Sequence, residues 1–183
     1  MDLLRRSVAA LVALVAMPML ADSASAQSAS APDLTAAYLT NFVKFTVWPA
    51  EALPADAPLV LCVEGSATVA DALEGMTRSQ KVAGHPLTVR RVKADDPLQP
   101  CHVLYASELA RERADRLLRT TATLPILTVS DSTDFTRRGG IVSFFVEKER
   151  LRFAVNPDAA ERAGLRISAK LLSLSTIVRG DRP

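Results

Sequence analysis

The chain has 183 residues, a formal net charge of +2 and 23% charged residues. That size suggests one domain, and the small, scattered charge excess excludes electrostatic capture of nucleic acid. His85 and His102 are the only histidines and do not sit at metal-ligand spacing, so no metal or other cofactor is expected.

Residues 1–26 read as a secretory signal peptide. Arg5 and Arg6 form a basic start, residues 8–20 are apolar apart from Pro18, and Ala24-Ser25-Ala26 offers small residues for cleavage. The apolar run is shorter than the roughly 20 residues a bilayer-spanning helix needs, so no membrane insertion is expected after cleavage. An uncleaved anchor is the alternative. A lipoprotein is excluded because no cysteine lies near the cleavage site. Export from a Gram-negative cell implies the periplasm, which holds no ATP pool. Residues 27–32 form a small-residue, flexible lead-in, residues 33–178 the domain, and residues 179–183 a tail. A chain of roughly 150 residues can bury about 68–70% of its unfolded surface.

Asp33 is the expected cap of a first helix over 34–45, where Tyr38, Leu39, Phe42, Val43 and Phe45 recur at helical spacing. Pro49 ends it. This aromatic stripe reads as core, with a partner-binding stripe as the alternative. LVLCV at 59–63 is an apolar run of the kind buried on both faces of a sheet. Ser66 is the expected N-cap of a helix over 68–76. Strands are expected at 87–92, 101–105 and 125–129, with a helix over 108–118 capped by Ser107 between the last two. The spacing of 141–146 and 151–155 predicts a hairpin. Pro157 then opens a short helix that Gly164 stops, residues 165–168 form a last short strand, and residues 169–174 are helical. This order predicts a layered α/β/α single domain: a mainly parallel central sheet with an antiparallel C-terminal hairpin at one edge.

Cys62 and Cys101 both lie in strand-like runs. An even pair in an oxidising compartment is a disulfide candidate, with two buried thiols as the alternative. No CxxC redox motif is present.

Ligands of open α/β sheets bind outside the carboxyl ends of the strands, which here carry Glu64, Ser66, Ser107, Ser130 and Asp131. These residues could cradle a small polar ligand, although caps and turns explain them equally well. Ser130, Asp131 and a histidine can be drawn as a triad, but no GxSxG elbow accompanies them, and neither a P-loop nor a GxGxxG is present. The catalytic set is empty, and the chain is not expected to be an enzyme.

The phrases AAYLTNFVKFTVWP, LVLCVEG, CHVLYAS, ILTVSD followed by RRGGIVSF, RLRFAVN and AERAGLRISAKLLSL, in this order and spacing, resemble the YfiR family of exported bacterial proteins. The resemblance runs from Asp33 to Val178. It implies a non-enzymatic periplasmic repressor that binds the periplasmic part of an inner-membrane diguanylate cyclase of the YfiN type, lowering cyclic-di-GMP and biofilm output. It also implies a homodimer. Cys62 and Cys101 match the family's cysteines in the corresponding phrases. A second cysteine pair of some members is missing, and Thr136 and Ser143 stand in that region. Ala154 stands where the family usually carries an acidic residue.

The candidate partner surface is the hairpin with the helix after it, taking Val142, Phe144, Phe153, Ala154, Ala160 and Glu161 as contacts. Val142, Phe144 and Phe153 alternate with Phe145 and Arg152, so one face packs inward and the other is available to a partner. Coverage of both faces within the fold is the alternative.

Overall fold

The structure, a computed structural model, describes residues 30–179. The expected signal segment, residues 27–29 of the lead-in and residues 180–183 lie outside the described residues. In chain order the elements are α1 (Ala31–Lys44), β1 (Thr46–Val47), β2 (Leu59–Glu64), α2 (Ala67–Thr77), β3 (Lys81–Val82), β4 (His85–Arg91), β5 (Val103–Ala106), α3 (Arg111–Thr121), β6 (Leu127–Ser130), β7 (Val142–Glu147), β8 (Arg150–Val155), α4 (Pro157–Arg162), β9 (Arg166–Ile167), α5 (Ala169–Ser173) and β10 (Thr176–Ile177).

One sheet runs in the order β10-β8-β7-β6-β5-β2-β4-β3, and a small antiparallel pair, β1 with β9, stands apart from it. The pairings from β4 through β2, β5 and β6 to β7 are parallel, whereas β7 with β8 and β3 with β4 are antiparallel. The expected α/β architecture is present, and the antiparallel hairpin lies toward one end of the sheet, where the two-residue β10 adds to β8 in parallel, matching Thr176 to Ala154 and Ile177 to Val155.

Side-chain alternation in the strands divides the core into two layers. Leu59, Leu61 and Val63 face the same layer as Val103, Tyr105, Leu127 and Val129, and α1 and α2 cover them. Val60, Cys62, Leu104 and Ala106 face the other layer, with Leu117 and Leu118 of α3. The aromatic stripe of α1 is core: Phe42 lies 5.8 Å from Phe144 and 5.0 Å from Phe153 between ring centroids. Tyr38 sits on the same pair, and its hydroxyl donates to the Leu151 carbonyl at 3.2 Å. Burying one such ring stabilises the fold by about 1.5–3 kcal/mol.

Two helix starts differ from expectation. The N-cap of α1 is Ser30, whose Oγ accepts the Asp33 amide at 3.3 Å and donates to the Asp33 carboxylate at 2.6 Å. Asp33 therefore occupies the first turn, where the helix dipole favours a negative charge. Helix α3 begins at Arg111, not after Ser107, and has no side-chain cap. Ser66 and Asn156 cap α2 and α4, accepting from Val69 N at 3.3 Å and Ala159 N at 2.9 Å. The β7–β8 turn puts Lys148 and Glu149 at φ 48° and 60°, the positive pair that a type I′ turn needs.

Candidate functional site

From β2 the chain goes to β4 on one side and later returns to β5 on the other. The carboxyl ends of β2 and β5 thus form the switch point where open α/β sheets hold ligands. Glu64, Gly65 and Ser66 end β2, Ser107 follows β5, and Ser130 and Asp131 end β6. The structure brings these predicted residues to one pole and then bonds each of them within the chain.

Ser107 Oγ donates to Asp131 Oδ2 at 2.5 Å, and the Glu108 amide reaches Asp131 Oδ1 at 3.4 Å. Ser130 Oγ accepts the Ser132 amide at 3.2 Å, and Ser66 caps α2. Glu64 takes a bidentate pair from Arg113 of α3, Nε at 2.9 Å and Nη2 at 3.0 Å. That hydrogen bond is the main cause that holds the Arg113 guanidinium above its usual pKa. Gly65 has φ +89°, and a Cβ placed on it would stand 2.1 Å from the Ser107 carbonyl oxygen. Backbone therefore meets backbone at the centre of the switch point. Beneath it, burial pushes the Tyr105 phenol up to about 12, so it remains a neutral hydroxyl.

The histidines lie at the opposite pole. His85 opens β4 and His102 precedes β5, whereas Ser130 and Asp131 stand at the far ends of strands running the same way. The drawn triad does not assemble. His102 is built into the scaffold: its Nδ1 accepts the Val60 amide at 3.1 Å, which places the ring proton on Nε2, facing the Ala52 carbonyl at 3.0 Å. Trp48 closes over it, donating from Nε1 to the His102 carbonyl at 3.2 Å. Among the described residues, no group of three or more His, Cys, Asp or Glu could hold a metal ion.

Cys62 and Cys101 form a disulfide with Cα atoms 5.7 Å apart, buried in the α3 layer. It ties β2 to the segment entering β5.

The hairpin contacts need correction. Val142, Phe144, Phe153, Ala154 and Ala160 are all buried, and of the six predicted contacts only Glu161 is exposed. At the base of the hairpin both faces are covered within the fold: α1 lies over the aromatic face, and the segment before β7 lies over Ser143 and Ala154. There Thr136 Oγ1 and Ser143 Oγ meet at 3.2 Å, and Asn156 Nδ2 donates to the Thr136 carbonyl at 2.9 Å.

Sequence reasoning missed the tip. Val142, Phe144 and Val146 share one face of β7, but Val146 lies beyond the reach of α1 and is 73% exposed. Leu174 and Ile177, flanking the same sheet edge, are 63% and 45% exposed. β10 pairs with Ala154 and Val155 only, which leaves the outer edge of β8 from Arg150 to Phe153 without a strand partner among the described residues. The available signal was the apolar alternation running right up to the turn.

Among the described residues, no helix is long and apolar enough to cross a membrane. A family model described as YfiR/HmsC-like matches residues 32–176. That family is one of regulatory, non-enzymatic periplasmic proteins associated with cyclic-di-GMP signalling. The match spans both core layers, the disulfide and the hairpin, and the chain belongs to the YfiR/HmsC-like family.

Proposed function

We propose that the protein binds the periplasmic part of an inner-membrane diguanylate cyclase and represses it, lowering cyclic-di-GMP and biofilm output. The observation that carries this reading is the hairpin edge: an open stretch of β8 framed by exposed Val146, Leu174 and Ile177. An unpaired strand edge offers backbone donors and acceptors to a partner strand, and apolar side chains beside it supply burial. Repression then follows from differential affinity. If the protein binds the inactive sensor conformation tenfold better than the active one, the balance moves by about 1.4 kcal/mol. Val142, Phe144, Phe153, Ala154 and Ala160 support this edge from within, and Glu161 is the exposed member of the set, on α4.

The protein reaches its partner after removal of residues 1–26 and acts as a homodimer. Deleting it raises cyclic-di-GMP and biofilm, and the wild-type chain restores both. Val146→Asp and Ile177→Asp proteins fold and are exported but restore neither. Restoration by both variants would refute the edge as the contact, and unchanged cyclic-di-GMP in the deletion strain would refute the function. A small-ligand role for Glu64, Ser66, Ser107, Ser130 and Asp131 is the weaker reading, since each is already bonded within the chain.

A further inference from the structure

Three arginines from three elements line one depression of about 300 Å³ beside α3: Arg119 of α3, Arg138 of the turn before β7, and Arg162 at the end of α4. Like charges gathered from separate parts of the chain repel one another, so their convergence calls for a counter-charge. Part of it is internal. Arg138 donates to the Asp115 carboxylate, to the Arg111 carbonyl at 3.0 Å, and approaches Asp134 at 3.6 Å. The Asp115 carboxyl is held below the usual carboxylate range, first by the Arg138 hydrogen bond and further by the charges of Arg111 and Arg119.

The internal acids do not complete the balance. The residues that line the depression carry three arginines, Arg119, Arg138 and Arg162, against one carboxylate, Asp115, an excess of two positive charges. Arg119 and Arg162 make no hydrogen bond or ion pair among the described residues, whereas Arg138 is fixed between them. Gly139 forms part of the wall, and no atom lies within 4 Å of where its Cβ would be, so the depression stays open there. A guanidinium presents paired N–H donors that match tetrahedral oxyanions, and a double positive excess matches a dianion.

We propose that this depression binds a phosphate dianion, free or as a phosphomonoester, through Arg119 and Arg162 with Arg138 as the rigid centre. None of the lining residues belongs to the strand-end set or to the hairpin edge, so the proposal stands independently of the repressor reading. A bound phosphate would tie α3, the turn before β7 and α4 together. The free ion and the ester share this chemistry and are separated by experiment.

The test is calorimetric titration of the mature protein with inorganic phosphate, and separately with glycerol 3-phosphate, at constant ionic strength set with chloride. Saturable phosphate binding is expected. Arg119→Gln and Arg162→Gln each weaken it about tenfold, the loss expected for one charge-assisted hydrogen-bonding group. Both side chains are exposed, so unfolding temperatures in chloride stay unchanged, and Arg162→Lys, which keeps the charge and loses the fork, falls between wild type and Arg162→Gln. Tighter binding of the ester identifies a phosphomonoester ligand; equal or weaker binding identifies the free ion. Absence of saturation, an equal response to chloride, or unchanged affinity in the double Gln variant overturns the proposal. Binding of an acidic polypeptide at this face without phosphate binding also overturns it, in favour of a protein contact.

Discussion

The hydroxyls of Thr136 and Ser143 meet at 3.2 Å in the buried layer between β7 and the segment that precedes it. The contact brings the side chains of two residues close in sequence within reach of one another, a precondition for a short covalent bridge. Thr136→Cys with Ser143→Cys is expected to oxidise to a second disulfide. A loop of this length stabilises by about 2.5 kcal/mol in the chain-entropy account. Thiol titration of the unfolded, unreduced variant finds no free thiols if the bridge forms, and denaturant unfolding before and after reduction measures its contribution.

His102 gives stability a pH dependence. Burial, the largest cause, pushes its pKa below the usual 6.5, with the Ala52 carbonyl partly opposing. The folded state therefore holds this proton less tightly than the unfolded state does. The contribution is complete above about 6.5 and is lost as pH falls below it toward the folded value. Protonating Nδ1 would also break the bond from the Val60 amide. Urea unfolding at pH 7.5 and pH 5 should show a larger acid loss in wild type than in His102→Gln, and equal losses would show that this histidine is not responsible.

Glu64 and Arg113 form a largely buried, bidentate pair that fastens α3 to the end of β2. Removing one partner strands the other charge. Glu64→Ala is expected to destabilise by about 3 kcal/mol, and the double variant with Arg113→Ala by less than the sum of the singles. A double-mutant cycle by denaturant unfolding measures the coupling, and additive effects would contradict it.

The Gly65 contact predicts a sharper loss. Gly65→Ala combines a positive φ with a Cβ 2.1 Å from the Ser107 carbonyl oxygen, a backbone atom that has no rotamer with which to escape. The expected cost is above about 4 kcal/mol. Gly84→Ala is the control, because Gly84 also has positive φ but meets nothing within 4 Å. Its cost is expected to stay near 1 kcal/mol, the strain of the backbone alone. Comparable thermal shifts in the two would deny any role to the contact.

The turn at Lys148 and Glu149 leaves room for improvement. Both residues hold positive φ without being glycine or asparagine. Lys148→Asn with Glu149→Gly supplies the residues that a type I′ turn favours and should stabilise by about 1 kcal/mol. A higher denaturant midpoint at unchanged slope is the expected result.

Much of the fold was legible where the decisive forces are local. The run 59–63 had no polar face, the pattern of a strand covered on both sides, and its β-branched residues and short length favoured a strand. Ser66 and Pro157 carried their helix starts in their own chemistry. Misreadings arose where a distant residue intervened. Ser107 has the side chain of a cap, but Asp131, 24 residues away, takes its hydroxyl. Phe144 and Phe153 had the alternation of a two-faced hairpin, yet whether a face is free depends on where α1 and Thr136 come to lie. The arginine depression is assembled from α3, a turn and α4, and no sequence window contains it.

β10 contributes only two paired residues, yet it is the last strand of the described chain. A polypeptide made from its N-terminus acquires this strand after every other member of the sheet. Until Thr176 and Ile177 arrive, all of β8 is an uncapped template for intermolecular pairing, the hazard by which β-proteins aggregate. Removal of residues 175–183 should therefore matter less to the packed core than to the fate of the nascent protein, which would appear as inclusion bodies or chaperone dependence.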